Sequence, residues 1–132
     1  MSGQRAAAVV NSFLAAFAEG DVETAVSCIA DDGVIDEAHG LPFSGCYTGP
    51  EGFLQLLGAM SAVLDATVDK VEVFDADTVA VGRIALTFTS KASGRELSTT
   101  ATEIYHVADD KITLADVYYK DPGALSELAA GR

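Results

Sequence analysis

The chain has 132 residues, 49% of them apolar, and a formal net charge of -12 at neutral pH. That length and apolar content fit one folded domain with a sizeable core, and they argue against a disordered chain. The negative surface repels phosphates and anionic lipid heads, so no nucleic acid and no membrane is expected as a partner.

Ala6 to Glu19 reads as a helix, because Val9, Val10, Phe13, Leu14 and Phe17 fall on one stripe at helical spacing. Gly20 closes it, and Asp21 is placed to cap a second helix over residues 22–30. Residues 34–38 read as a short strand, in which only one of the adjacent acids Asp36 and Glu37 can face inward. Residues 40–49 read as a loop with Pro42 and glycines at 40, 45 and 49. A third helix starts near Pro50 and carries Phe53, Leu54, Leu56, Leu57, Met60 and Leu64, with Asp65 at its end. From Ala66 the apolar period changes to two. Strands are expected over residues 68–74, 78–90 and 95–107, then a hairpin return and a tail helix over 124–129. Helices first and antiparallel strands after them make an α+β plan: a curved sheet wrapped around three helices, a cone with a pocket inside.

The segment before Asn11 holds no apolar run of signal-peptide length, and no stretch approaches a membrane span. A cytoplasmic protein with Cys28 and Cys46 as reduced thiols is expected. The only histidines are His39 and His106, and the cysteines lack ligand spacing, so no metal site is expected.

The hairpin over residues 99–119 organises the chain. A turn centred on Asp109-Asp110 places Val107 opposite Ile112, Tyr105 opposite Leu114, and Glu103 opposite Asp116. Like charges directly opposite are unfavourable in a plain sheet. Two nearby carboxyls split their pKa values, one staying ionised while the other holds a proton near neutrality, as general acid–base catalysis requires. A bulged loop would shift the register by one and put the two acids on opposite faces.

The element order, with the segments A-E-G-D-V-E-T-A-V at 18–26, A-D-D-G-V at 30–34, L-P-F-S-G-C-Y-T-G-P-E-G-F at 41–53 and D-D-K-I-T-L-A-D-V-Y-Y at 109–119, resembles the SnoaL-like polyketide cyclases and ketosteroid isomerase relatives of the nuclear transport factor 2-like superfamily. The resemblance spans nearly the whole chain; it is specific for the fold and weak for the reaction. It implies a base at Glu37, after the second helix, and acids at Glu103 and Asp116 on the last two strands of the sheet. It also implies a homodimer through the open sheet face. Phe13 stands where the isomerases carry an oxyanion-binding tyrosine, which removes one donor from a strict isomerase mechanism. Asp110 stands where the family commonly has glycine.

The candidate catalytic residues are therefore Glu103, Asp116 and Glu37. Arg83 interrupts an apolar strand and would come within one residue of facing Glu103, where it could hold that acid ionised. Tyr105 and Tyr118 could donate hydrogen bonds in the pocket, and Phe13, Phe17, Phe53 and Leu57 would form its apolar wall. His106 alternates to the face opposite Glu103. The plain structural alternatives are a solvated rim for the acids, a buried ion pair for Arg83 and core packing for the tyrosines. Two function classes stay open. One is an acid/base enzyme without metal or cofactor, acting on a small hydrophobic molecule through an enolate, or opening an epoxide with Arg83 between the acids. The other is a non-catalytic ligand-binding or dimerisation module.

Overall fold

The computed structural model describes residues 5–132, so the first four residues of the segment read for a leader lie outside the described residues. The elements run α1 Ala6–Glu19, α2 Val22–Ser27, β1 Ile29–Glu37, β2 Gly45–Thr48, α3 Gly49–Ser61, β3 Leu64–Ala76, β4 Val79–Ser90, β5 Glu96–Ala108, β6 Lys111–Tyr119 and α4 Pro122–Ala129. One six-stranded sheet has the order β2-β1-β6-β5-β4-β3. It is antiparallel except where β1 runs parallel to β6. The apolar stripe of α1 buries Val9, Val10, Phe13 and Leu14 against the inner sheet face, where Ala80, Ile84, Phe88, Ala101 and Tyr105 are buried in turn. The sheet curves around α1 and α3, and the result is the cone-shaped α+β fold. Among the described residues no helix is long and apolar enough to cross a membrane.

Several boundaries differ from the sequence reading. Helix α2 stops at Ser27, because the Cys28 carbonyl accepts the Ile112 amide at 2.8 Å and draws the chain into the sheet. Strand β1 therefore begins at Ile29, and its pairing with β6 is irregular between Ile29 and Val34, which hides the strand's alternation. Strand β2 lies where a loop was expected; its four residues are too few and too exposed to show a period. Helix α3 ends at Ser61, so Leu64 is a buried strand residue that happens to continue the helical spacing. Asp65 accordingly lies in β3 and not at a helix end, and it pairs with Lys91 at 3.7 Å.

The hairpin turn falls at Asp109-Asp110, both with positive φ (52° and 61°), as a two-residue turn of primed type requires. Val107 pairs with Ile112, but His106 then pairs with Leu114, which leaves Thr113 as an extra residue. The Thr113 hydroxyl donates to the His106 carbonyl at 3.1 Å, which supports the bulge locally. Everything beyond it is displaced by one residue.

Gly33 sits in the irregular part of β1. A Cβ there would lie 2.6 Å from the Ile112 carbonyl oxygen, a backbone atom that cannot step aside. Gly33→Ala should therefore cost roughly 2 kcal/mol or more in urea unfolding, as overpacking against fixed backbone does. A variant as stable as the parent would contradict the β1–β6 arrangement.

Candidate active site

The bulge decides which acids meet. Glu103 pairs with Val117, and Asp116 pairs with Ile104, so the expected Glu103–Asp116 juxtaposition does not form. Asp116 lies on the outer sheet face beside Asp36, where its Oδ2 accepts the Tyr118 hydroxyl at 2.9 Å. Tyr118 is 54% exposed and does not line the inner cavity. Arg83 is exposed on the same outer face: it pairs with Thr102, while Glu103 faces Gly82. The turn-based register was right to within one residue, but one residue along a strand is the other side of the sheet. His106 is exposed, on the face opposite Glu103.

Glu103 meets Glu37 instead. Ile35 pairs with Ala115 and Asp36 with Asp116, so the next step along the strands sets Glu37 beside Val117, itself beside Glu103. The two glutamates stand on one inner row with β6 between them, their strands about 10 Å apart. Between them and the helices lies a narrow, mostly apolar cavity. Phe13 and Phe17 of α1, Phe53 and Leu57 of α3, and Ile84 and Phe88 of β4 contribute to its wall. Phe13 packs against Phe53 at 5.4 Å and edge-on to Tyr105 at 6.0 Å between ring centroids.

Glu37 is only 3% exposed. Its Oε1 accepts the Ala38 amide at 2.9 Å, and the nearby Tyr119 hydroxyl favours its ionised form. Burial pushes its pKa up to about 7; the Ala38 amide pulls it down and the nearby Glu103 raises it further. Glu103 is also pushed up by burial, with the Tyr105 hydroxyl, which donates to its Oε1, acting in the opposite direction. Burial and the two carboxyls hold both tyrosine hydroxyls far above their usual range, so they remain protonated donors. Gly82 makes room for this arrangement: a Cβ there would lie 3.0 Å from Leu14 Cδ1 and 3.1 Å from the Tyr105 ring.

The site thus holds Glu37, Glu103 and Phe13, Phe17, Phe53 and Leu57 together, with Tyr105 behind Glu103, and leaves Asp116, Tyr118 and Arg83 outside. Tyr119 was missed by sequence reasoning. Its signal was present: Ala115, Val117 and Tyr119 share one parity on β6, and their apolar character marks the inner face, leaving Asp116 and Tyr118 to the outer one. Among the described residues no three His, Cys, Asp or Glu side chains are arranged to hold a metal ion.

The sequence profile of the SnoaL-like domain matches residues 10–115. The chain belongs to that family, within the nuclear transport factor 2-like superfamily. This SnoaL-like domain has no match among curated proteins. Its fold is shared with a nuclear transport factor 2-like protein of Burkholderia thailandensis, at 18% identity and a TM-score of 0.84 over 97% of this chain and 96% of that one. A candidate polyketide cyclase of Pseudomonas putida is similar at 20% identity and a TM-score of 0.80, over 96% of this chain and 98% of that one. TerC, solved in a co-crystal with polyporic acid, is similar at 20% identity and a TM-score of 0.81, over 92% of this chain and 95% of that one. These likenesses establish the fold of the SnoaL-like domain and leave its chemistry to be argued from the cavity.

Proposed function

We propose that this SnoaL-like domain is a cofactor-independent acid/base enzyme that forms an enolate from a small hydrophobic carbonyl compound. The observation that carries the reading is the presence of Glu37 and Glu103 on one inner row of an apolar cavity. Ionised Glu37 takes a proton from the carbon next to the carbonyl, with Tyr119 and the Ala38 amide fixing its orientation. Glu103 keeps its proton and donates it in a hydrogen bond to the developing enolate oxygen, through the carboxyl oxygen that Tyr105 does not occupy. The hydroxyls of Tyr105 and Tyr119 hold the acids from the strands, although Phe13 of α1 brings none. The enolate then attacks a second carbonyl and closes a ring, or takes a proton back at another carbon and leaves as an isomer. The name of the Pseudomonas putida relative favours ring closure. The epoxide-opening route needs Arg83 between the acids, and Arg83 stands on the far side of the sheet.

Exchange of α-protons of a neutral ketone such as 2-tetralone, followed by NMR in heavy water, tests this directly. The protein should accelerate exchange, and Glu37→Gln should remove about a hundredfold of it or more. Asp116→Asn should leave it within about twofold, as a surface change does. The groups acting on Glu37 are the Ala38 amide, Glu103, Tyr119 and, from the outer face, Asp36, and α1 and α3 bring none that titrates to the cavity wall. The rate should therefore rise with pH through about 7, as Glu37 loses its proton, and fall again once Glu103 ionises. No acceleration, or full activity in Glu37→Gln, returns the protein to the class of binding modules.

We also propose that the outer sheet face pairs with a second copy of the chain. Phe74 is 50% and Tyr118 54% exposed there, an apolar surface unusual for a lone face. Sedimentation at micromolar concentration should give twice the 13.7 kDa chain mass; a monomer contradicts this.

A further inference from the structure

The cavity contains two carboxyl groups and no positive charge: among the described residues its wall includes no Lys, Arg or His. Its polar groups are Glu37, Glu103 and the Tyr119 hydroxyl; the remaining side chains of the wall are apolar, with the rings of Phe13, Phe17, Phe53 and Phe88 among them. The three ion pairs described all lie on the surface, and none involves either glutamate. A buried carboxylate with amide and hydroxyl partners only is short of stabilisation that a cation would supply. Ring faces favour a cation as well. The net charge of -12 concentrates cations around the molecule and repels anions.

From this combination we infer that the cavity is a binding site for hydrophobic amines in their protonated form, the ammonium group seated against Glu37 and Glu103 and the organic part among the phenylalanines. An ammonium group has three donors and no acceptor, which complements the ionised Glu37 carboxylate and the acceptor oxygens left on Glu103. A carboxylate of the same size would bring a second negative charge beside ionised Glu37, into a site with no cation to neutralise it. An alcohol of the same size would fill the apolar wall and forgo the charge. The inference shares the cavity with the proposed reaction and none of its chemistry: an amine would occupy the site without being turned over and would block proton abstraction. A protein inactive in ketone exchange that still prefers the amine leaves this inference standing, and an active one without that preference removes it alone.

The test is isothermal titration of the whole chain at pH 8 with 3-phenylpropylammonium, 3-phenylpropanol and 3-phenylpropanoate. The ammonium should bind at least about tenfold tighter than the alcohol, and the carboxylate should be the weakest of the three. The double variant Glu37→Gln, Glu103→Gln should bind ammonium and alcohol alike. Amide shifts in the parent protein read the location independently of any variant's folding, and those caused by the ammonium should cluster at Glu37, Glu103 and Tyr119. The inference is overturned by a carboxylate or alcohol that matches the ammonium, by absence of ammonium binding, or by shifts confined to the acidic outer surface.

Discussion

Two carboxyl groups share one low-dielectric cavity with nothing but hydroxyl and amide donors to offset them. Ionising both at once in such a place is costly, because isolated buried charge loses several kcal/mol of hydration. The inexpensive state is one proton between the pair, and the surroundings decide where it resides. Glu37 has a backbone amide and the nearby Tyr119; Glu103 has the Tyr105 hydroxyl and no backbone donor among its described bonds. That asymmetry separates a base from an acid within one pair of identical side chains.

Positioning that pair falls to backbone features well away from it. The extra residue Thr113 shifts β6 by one position relative to β5, which turns Val117 and Tyr119 inward and Asp116 outward. Parallel pairing with β1 then brings Glu37 onto the row of Glu103. Gly82 leaves space beneath that row for the Tyr105 ring, whose hydroxyl reaches Glu103. The same bulge that keeps two acids apart therefore unites two others.

The legible part of this in the sequence was the part with a strong local period. The stripe of α1, the meander from β3 onward and the Asp109-Asp110 turn follow from spacing and turn chemistry, and the family resemblance supplied the fold. The bulge left no such trace, since Ile112, Thr113 and Leu114 are all ordinary strand residues and the Thr113 bond to His106 depends on the finished hairpin. A register inferred from a turn alone is accurate only up to the first irregularity. The better guide was alternation on β6 itself, where apolar Ala115 and Val117 mark the inner face. Glu37 was recoverable for the same reason, since it shares parity with buried Ile35. Arg83 misled because an exposed charge on an otherwise apolar strand resembles a buried functional one until the two faces are distinguished.

The account depends on Glu37 and Glu103 feeling burial and each other. Site-resolved carboxyl titration by carbon-detected NMR, from pH 3 to 9, measures this most directly. The account predicts a midpoint near 7 for Glu37 and one above the ordinary carboxyl range for Glu103. Both titrating near the model-peptide value of about 4 would contradict it.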